Sequence, residues 1–303
     1  MTIHAVIVAH RSSGTLAACL AALSAQTDSI LVLENGSPAD EVAAIRTLER
    51  GFPGVRFEYS AENAGFGGGV NAAVRLLAPA DDDLLWIVNP DTIAAPGAAD
   101  ALSAAIRGGG ADLISPLLTT GPSDARTIWY AGGDVDLRRG VVSHRQYGEP
   151  ISAAPRGLIV CSFVTGAAPM LSTATWRRLG GFDESLFLYW EDVELSLRAT
   201  AEGLRLAVAP EAVVWHAEGA STRREGEGRS PAFYFYSQRN RAIVLARHRR
   251  RPGILLGPAA AETARLLLRS FLREPRPRWR RFRASVRGLV AGLRGRTGRE
   301  ASL

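Results

Sequence analysis

Short apolar segments in the N-terminal part of the chain are separated by segments in which apolar residues recur at helical spacing. Continuous apolar runs predict strands buried on both faces, and apolar–polar alternation predicts a half-buried strand. The predicted strands are Ala5–Ala9, Ile30–Leu33, Val55–Tyr59 and Leu84–Val88. The predicted helices between the first three of them are Leu16–Ala25 and Asp40–Leu48. This strand–helix–strand repetition predicts an α/β fold with a central, mostly parallel sheet flanked by helices.

The strand Leu84–Val88 is followed by Asn89 and a proline, which removes a ladder donor and disfavours helix in the residue before it. Asp91 therefore lies just beyond the carboxyl end of a central strand, where open α/β sheets place their ligands. A carboxylate at this position can hold a divalent cation against a nucleotide diphosphate. An Asp-Thr turn after a core strand is the alternative that these residues alone leave open.

A glycine-rich segment, Glu62–Asn71, precedes a predicted helix over Ala72–Leu77. Glycines in a loop let the backbone approach a ligand closely, and a helix that begins behind such a loop suits an anion. The segment does not have the G-x-G-x-x-G spacing of a dinucleotide-binding fingerprint, and it does not lie in the first strand-to-helix turn. A purely structural turn is the other interpretation.

The second half of the chain places ionisable residues at the ends of predicted elements. A helix is predicted to begin near Glu191, and the helix dipole favours both Glu191 and Asp192 in its first turn. The competing interpretation is that one of these carboxylates serves as a general base. Two short strands, Leu206–Ala209 and Ala212–Trp215, are predicted to end at His216. Its imidazole is a second ligand of the kind that Mn²⁺ or Mg²⁺ accepts, and a purely structural histidine is the alternative that these residues alone leave open.

The length of 303 residues and the 47% hydrophobic composition allow one sizeable core. We expect a large α/β domain over residues 1–245, containing a variable insertion at 119–157, and an appendage over residues 246–303. Cys19 and Cys161 are too few for a disulfide framework or a thiolate metal site, which indicates a reducing compartment. The N-terminal residues resemble a first strand more than a signal peptide.

Charge is distributed unevenly along the chain. Residues 239–303 carry a net charge of +15 and residues 1–238 carry −9, which together give +6. The apolar residues in this basic segment are too few and too interrupted to span a bilayer. An amphipathic helix on an anionic membrane, anchored by Trp279 and Phe282, is the favoured interpretation. A solvated basic extension is one alternative, and nucleic-acid binding is a less expected one. Residues from about Gly292 are expected to lack ordered structure.

Seven short motifs occur in one order between residues 3 and 245. They are Val8–Arg11, Leu33–Asn35, Asn63–Asn71, Asn89–Asp91, Gly181–Glu184, Trp190–Asp192 and Trp215–His216. In this order they resemble the family 2 glycosyltransferases of the GT-A fold, and within them the rhamnosyltransferase-like and galactofuranosyltransferase-like branch. The resemblance implies an inverting enzyme that moves a sugar from a nucleotide-diphospho-sugar to a hydroxyl of a cell-envelope glycan or polyprenyl-linked acceptor.

The resemblance also implies a role for each matching position. Those that would line the nucleotide-sugar are Ala9, His10, Arg11, Glu34, Asn35, Asn63, Gly65, Phe66, Gly67, Asn71, Asn89 and Asp91. Asp91 and His216 would hold a divalent cation, Mn²⁺ or Mg²⁺. Asp192 would be the catalytic base, Glu191 would act beside it, and Trp190 with Glu191 would contact the acceptor.

Two positions depart from the pattern of the family. Asn89 stands at the first acidic position of the D-x-D motif, so metal binding would depend on Asp91 and His216. Glu34 stands where the family usually has Asp, which leaves dTDP and UDP donors open. The expected donor is dTDP-rhamnose. One alternative is a galactofuranosyltransferase that uses UDP-galactofuranose, and the other is a non-catalytic scaffold protein that binds a nucleotide sugar. The expected location is the cytoplasm, peripherally on the inner face of a bacterial plasma membrane.

Overall fold

The structure is a computed structural model that describes residues 1–217, 228–248, 254–272 and 278–301. The strands in these ranges are β1 (Ile3–Ala9), β2 (Ser29–Asn35), β3 (Val55–Ser60), β4 (Leu84–Val88), β5 (Thr92–Ala94), β6 (Leu113–Thr120), β7 (Thr127–Tyr130), β8 (Gly133–Asp136), β9 (Val141–His144), β10 (Ile159–Val160), β11 (Met170–Ser172) and β12 (Leu206–His216). The α-helices are α1 (Ser13–Leu23), α2 (Ala39–Glu49), α3 (Gly65–Leu77), α4 (Ala98–Arg107), α5 (Thr173–Leu179), α6 (Glu191–Ala201), α7 (Pro231–His248), α8 (Gly257–Leu272) and α9 (Arg278–Leu293). Two short 3₁₀ helices span Ile151–Ala153 and Glu184–Leu186.

Within the described residues, the central sheet has ten strands, and its first four in sequence are parallel. β1 lies between β2 and β4, and β3 pairs with the outer side of β2. β11 pairs antiparallel with both β4 and β6, and β6 runs parallel to β12. β5 and β10 add to β12, β7 adds to β6, and β8–β9 form a separate hairpin. The predicted α/β class with a helix-flanked central sheet is therefore confirmed, and the predicted insertion at 119–157 contains β7 to β9.

Parallel pairing brings the carboxyl ends of β1, β2 and β4 to one edge of the sheet. The register places Ile7 opposite Val88 and Ala9 opposite Glu34. All five residues of β4 are buried, as its apolar sequence predicted. The residues that follow these three strands therefore meet at the edge where a ligand is expected.

The glycine-rich segment is a place where the predicted secondary structure was wrong. A loop was predicted over the whole segment, whereas α3 begins at Gly65. A Cβ atom at Gly69 would lie 2.7 Å from a methyl carbon of Val8, and one at Gly67 would lie 2.8 Å from the Cβ atom of Phe182. The glycines therefore let α3 pack closely against the strand and the loop beside it, and this packing outweighs their low helix propensity.

The last strand of the sheet also differs from the prediction. Two short strands were predicted, whereas β12 is a single strand of 11 residues. Its pairing with β6 changes register between Ala209 and Val213, so a bulge accommodates Pro210 between the two predicted pieces. The continuous strand carries His216 to its end, where His216 lies opposite Thr92 of β5.

The basic C-terminal segment packs against the rest of the molecule. α7 runs through the predicted boundary at residue 245, and α9 approaches it so closely that a Cβ atom at Gly288 would lie 2.1 Å from the Phe235 carbonyl oxygen. The expectation of disorder from Gly292 was wrong for the residues described up to 301. The N–H of Gly298 donates to the Ser185 carbonyl oxygen (2.7 Å), a contact that no local pattern indicates. Residues 249–253 and 273–277 of the predicted appendage lie outside the described residues.

Candidate active site

Asp91 and His216 meet at the carboxyl edge of the sheet. β5 pairs with the end of β12, and the N–H of Ala217 donates to the Asp91 carbonyl oxygen (3.0 Å). This pairing leaves the Oδ1 atom of Asp91 3.3 Å from the Nε2 atom of His216. Both residues are buried, with 8% and 6% of their surface exposed. Strand pairing therefore brings together the two residues predicted to bind a metal.

The pair has the donor atoms that Mn²⁺ or Mg²⁺ accepts, one carboxylate and one imidazole. Within the described residues, the buried Nδ1 atom of His216 has no hydrogen-bond partner. The same residues contain no group of three or more His, Cys, Asp or Glu side chains arranged to hold a metal. Because these cations take about six ligands, the pair fits a cation whose other ligands come from water and a bound diphosphate.

Glu191 and Asp192 begin α6, as predicted. Asp192 accepts main-chain hydrogen bonds through both of its oxygens, from Gly166 (3.0 Å) and from Val193 (2.8 Å). The Oε2 atom of Glu191 is buried, and no residue in the described part of the chain hydrogen-bonds to it. Adjacent carboxyl groups in such different surroundings can divide the roles of acid and base.

Burial raises the pKa of both carboxyl groups of this pair. Burial, followed by the charge of Asp192, raises the pKa of Glu191 to about 8. Burial also raises the pKa of Asp192, but its main-chain donors stabilise the carboxylate and act in the opposite direction. These main-chain donors favour the carboxylate form of Asp192, which makes Asp192 the member of the pair better suited to accept a proton.

One short segment connects the carboxylate pair to the Asp91–His216 pair. Gly166, which donates to Asp192, is followed by Ala167, whose carbonyl oxygen accepts from the N–H of Asn89 (2.8 Å). Asn89 opens the turn that carries Asp91, and its carbonyl oxygen accepts a hydrogen bond from the Thr92 hydroxyl (2.8 Å). Hydrogen bonds of this segment therefore link the predicted base at the start of α6 to the turn that carries the predicted metal ligand Asp91.

The polar residues predicted to line the nucleotide form a connected cluster after β1 and β2. The Nδ1 atom of His10 lies 3.2 Å from the Asn35 carbonyl oxygen, and the Nδ2 atom of Asn63 lies 3.3 Å from His10 Nε2. Asn35 donates to the Gly65 carbonyl oxygen (2.9 Å) and so positions the start of α3. Burial lowers the pKa of His10, which leaves a neutral imidazole at pH 7 for hydrogen bonding.

Ala9, Glu34 and Arg11 flank this cluster. Ala9 is fully buried in β1, and the buried Glu34 accepts a hydrogen bond from the N–H of Ser37 (2.8 Å). Arg11 is exposed, has a φ of 54°, and donates its N–H to the Ser37 hydroxyl (3.0 Å). Of the three, Arg11 is the one whose side chain can reach a ligand without displacing the core.

Phe66, Gly67 and Asn71 lie on the side of α3 that packs against Phe182. The Asn71 side chain donates to the Phe182 carbonyl oxygen (2.9 Å) and accepts from its N–H (3.0 Å). The rings of Phe66 and Phe182 have centroids 5.6 Å apart. These contacts lie within the chain, so they shape one wall of the site, and direct contact with a donor stays a prediction.

Asn240 of α7 and the loop Leu186–Trp190, whose carbonyl oxygens the Asn240 side chain contacts, were not predicted from the sequence to be part of the site. Three residues before the carboxylate pair have left-handed backbone conformations, Phe187 (φ 65°), Tyr189 (66°) and Trp190 (74°). Each costs about 1–3 kcal/mol and persists only where its surroundings impose it. Trp190, predicted to contact the acceptor, is partly buried against α7. The sequence signal that could have indicated Asn240 is the polar run 238–241, which lies inside a helix whose neighbouring turns are apolar.

A family model described as "Glycosyltransferase like family 2" matches residues 2–243. This chain belongs to glycosyltransferase family 2. N-acetylglucosaminyl-diphospho-decaprenol L-rhamnosyltransferase of Mycobacterium tuberculosis (strain ATCC 25618 / H37Rv) is 29% identical over 290 residues, which cover 86% of this chain and 90% of that one. Galactofuranosyltransferase GlfT1 of the same strain is 28% identical over 261 residues, covering 81% and 82%. The predicted family, its branch and the expectation of an enzyme are confirmed.

Solved structures identify the fold of this family 2 chain. The structure of GalNAc-T7 with UDP, GalNAc and Mn²⁺ has a TM-score of 0.64 at 16% identity, covering 81% of this chain and 48% of that one, so this chain spans about half its length. Mannosyltransferase PcManGT from Pyrobaculum calidifontis, in complex with GDP-Man and Mn²⁺, has a TM-score of 0.56 at 15% identity, covering 96% and 87%. Both are GT-A glycosyltransferases, and the predicted GT-A fold is confirmed.

Proposed function

We propose that this family 2 enzyme transfers rhamnose from dTDP-rhamnose to a hydroxyl of a polyprenyl-linked glycan used in cell-envelope synthesis. The relative named as a decaprenol-linked L-rhamnosyltransferase aligns over most of both chains and supports this sugar and this acceptor class. The observation that carries the catalytic part is the pair of adjacent carboxyl groups at the start of α6, where Asp192 accepts two main-chain hydrogen bonds and the Oε2 atom of Glu191 has no hydrogen-bond partner among the described residues.

In this proposal Asp192 accepts the proton of the acceptor hydroxyl while the hydroxyl oxygen attacks the anomeric carbon. The new carbon–oxygen bond forms as the bond between the anomeric carbon and the diphosphate oxygen breaks, and both electrons of that bond leave with the diphosphate. Attack from the face opposite the leaving group inverts the anomeric configuration in one displacement. Glu191 keeps its proton at neutral pH, so it can donate a hydrogen bond to the acceptor without competing as a base.

Asp91 and His216 are the residues that would hold Mn²⁺ or Mg²⁺, which supplies positive charge to the diphosphate leaving group when it is bound. The cluster of His10, Asn35 and Asn63 would bind the nucleoside through hydrogen bonds of neutral groups. Arg11 is the exposed cation beside that cluster and would contact the donor as well.

Galactofuranose from UDP-galactofuranose is the second candidate donor sugar. Galactofuranosyltransferase GlfT1 aligns with this chain at nearly the same identity as the rhamnosyltransferase, which favours this alternative over other hexoses. Glu34, at the end of β2 beside the nucleoside cluster, stands where the family usually has Asp, so this position does not decide between a dTDP and a UDP donor.

Calorimetric titration distinguishes the two donors. We expect dTDP-rhamnose to bind in a Mn²⁺-dependent manner and UDP-galactofuranose, UDP-glucose and UDP-N-acetylglucosamine to bind weakly. Asp192→Asn should keep donor binding and lose about 100-fold or more of rhamnose transfer to an N-acetylglucosaminyl-diphospho-polyprenol. Asp124→Asn, which changes an exposed carboxylate between β6 and β7, is the matched control. Selective binding of UDP-galactofuranose would select the second candidate, and a folded protein that binds no donor would contradict the proposal.

We also propose that α8 and the start of α9 contact an anionic membrane surface. Among the described residues, no helix combines the length and the apolarity that crossing a bilayer requires. α8 instead exposes Leu268 and Leu272 beside Arg265 and Arg269, and Trp279 is 62% exposed at the start of α9. Apolar side chains among arginines match a surface with negative headgroups and an apolar interior. The enzyme would then act on the cytoplasmic face of the plasma membrane, beside its lipid-linked acceptor.

Vesicle co-sedimentation tests the membrane proposal. We expect binding to vesicles that contain phosphatidylglycerol, a decrease of this binding with added salt, and its loss in the double variant Leu268→Glu/Leu272→Glu. Leu76→Glu, on α3, is the control because Leu76 is also an exposed leucine (43%) and lies outside the basic segment. Salt-sensitive binding to DNA or RNA without vesicle binding would contradict the proposal and favour a nucleic-acid partner.

A further inference from the structure

The loop Leu186–Trp190 leads into the carboxylate pair in a conformation that its residues disfavour. Phe187, Tyr189 and Trp190 have φ values of 65°, 66° and 74°. Left-handed conformations of bulky residues persist only where neighbouring groups impose them. Because Trp190 directly precedes Glu191, the conformation of this loop decides where α6 begins and where its first carboxyl groups lie.

One side chain of α7 supplies much of this constraint. The Nδ2 atom of Asn240 lies 2.8 Å from the carbonyl oxygen of Leu186, 2.9 Å from that of Leu188 and 2.7 Å from that of Tyr189. Asn240 is fully buried, and its Oδ1 atom accepts from the Nε atom of Arg239 (2.8 Å), which orients the amide with its N–H groups toward the loop. Two N–H groups thus serve three carbonyl oxygens, which an acid or an aliphatic side chain could not do.

The other side of the loop contacts α3 through main-chain atoms. The N–H of Phe66 donates to the Phe187 carbonyl oxygen (2.9 Å). A Cβ atom at Gly65 would lie 2.0 Å from the same oxygen, so the two backbones are as close as a glycine permits. Substitution of Asn240 leaves these main-chain groups unchanged. Asn240 is therefore a side chain through which the conformation of the loop can be tested separately.

We propose that Asn240 is a positioning residue, whose amide holds Leu186–Trp190 in the conformation that places the Asp192 carboxylate for proton transfer. This inference rests on the glycosyltransferase function proposed above, and it assigns a role to a residue that does not touch the substrate. Without the amide, the carbonyl oxygens of Leu188 and Tyr189 lose their Asn240 donor, whereas that of Leu186 still accepts from the Nη2 atom of Arg239 (2.8 Å). The left-handed residues Tyr189 and Trp190 can then relax toward ordinary φ values. The carboxylate pair then moves with the loop.

Two substitutions of Asn240 and one control separate positioning from general stability. Asn240→Asp keeps the side-chain volume and replaces the NH₂ group by an oxygen that faces three carbonyl oxygens. Gln238→Glu is the matched control, because Gln238 is also a buried amide of α7 but its Nε2 atom contacts the Ser285 hydroxyl of α9 (3.4 Å). Both exchanges bury a carboxyl group in one helix. Asn240→Ala removes the donors without a buried acid and serves if Asn240→Asp folds poorly.

Hydrogen–deuterium exchange and rhamnose transfer are measured on the full chain. In the Asn240 variants we expect peptides over Leu186–Val193 to exchange about tenfold faster, which corresponds to one net hydrogen bond. We expect kcat to fall by about 100-fold, because a small displacement of a catalytic group has an effect of this size. The Kd for dTDP-rhamnose should not change, since the cluster around His10 does not include Asn240. Greater solvation should also shift the pH dependence of kcat that arises from Glu191 to lower pH.

Each outcome supports or overturns the inference. Equal exchange in the Asn240 variants and in Gln238→Glu would overturn it, and so would faster exchange with an unchanged kcat. If the wild-type protein transfers no sugar from any donor, the proposed function fails, and the exchange experiment still decides whether Asn240 holds the loop. Faster exchange in that case supports the positioning of the carboxylates, and unchanged exchange overturns it.

Discussion

Glu191 is a buried acid whose protonation should be visible in the stability of the whole protein. Burial and then the charge of Asp192 raise its pKa from 4.5 to about 8. The pKa of Glu191 is higher in the folded protein than in the unfolded chain. At a pH between these two pKa values, the folded protein therefore keeps a proton that the unfolded chain has lost. The free energy of unfolding therefore decreases as the pH rises through this window, and the loss is complete above about pH 8.

The size of the effect follows from the size of the pKa shift. One pKa unit corresponds to about 1.4 kcal/mol, so the ionisation of Glu191 lowers the free energy of unfolding by about 5 kcal/mol across the window. Glu191→Gln removes this ionisation and keeps the shape of the side chain. At alkaline pH the variant should therefore be more stable than the wild type by about 5 kcal/mol, less the cost of about 1–3 kcal/mol for burying an amide without a partner.

Urea unfolding between about pH 5 and about pH 9 measures this difference. Glu202→Gln is the control for exchanging a carboxylate for an amide at the other end of α6, where Glu202 is half exposed and pairs with Arg178 (3.1 Å). The free energy of unfolding of Glu191→Gln should depend less on pH than that of the wild type or of the control. Parallel pH dependences of the wild type and Glu191→Gln would refute the assignment of a buried, protonated Glu191.

Packing, metal binding and thiol burial lead to further expectations. Gly69→Ala should lower the free energy of unfolding by about 1–3 kcal/mol, because the added Cβ would lie 2.7 Å from a Val8 methyl carbon. Gly14→Ala adds a methyl group that meets nothing within 4 Å, so it should not lower the free energy of unfolding. If urea unfolding shows an equal loss of stability in both variants, the close packing of α3 is contradicted. Asp91→Ala should remove the effect of Mn²⁺ on donor binding in calorimetry, and a retained effect would exclude Asp91 as a metal ligand. Burial raises the pKa of the Cys19 thiol to about 12, so iodoacetamide should label Cys19 only in denaturant, and labelling of the native protein would show that this thiol is accessible.

The elements that the sequence predicted correctly are those whose signal is local. β4 was predicted from five consecutive apolar residues, and each of them is buried. α6 was predicted to begin near Glu191 and begins at that residue, because the acidic first turn and the apolar residues at helical spacing are both local features of this segment. The family and its GT-A fold were predicted from motifs whose order along the chain carries the information.

The errors share one physical cause, since a partner distant in the sequence decided the local conformation. α3 begins at Gly65 because the neighbouring strand and loop leave no room for side chains at its glycines. β12 continues through Pro210 because β6 pairs with it on both sides of the bulge. Gly298 is held by Ser185, which no periodic pattern near the C-terminus indicates.

By itself, the sequence determined where the buried strands lie, where α6 begins and which ionisable residues follow the ends of these elements. Only the tertiary structure decided which of them meet, as Asp91 meets His216 through the pairing of β5 with β12. It also decided that Asn240 reaches the carbonyl oxygens of the loop before Glu191. The reason is that periodicity records only whether a side chain is buried, whereas a hydrogen bond requires a direction and a distance between segments far apart along the chain.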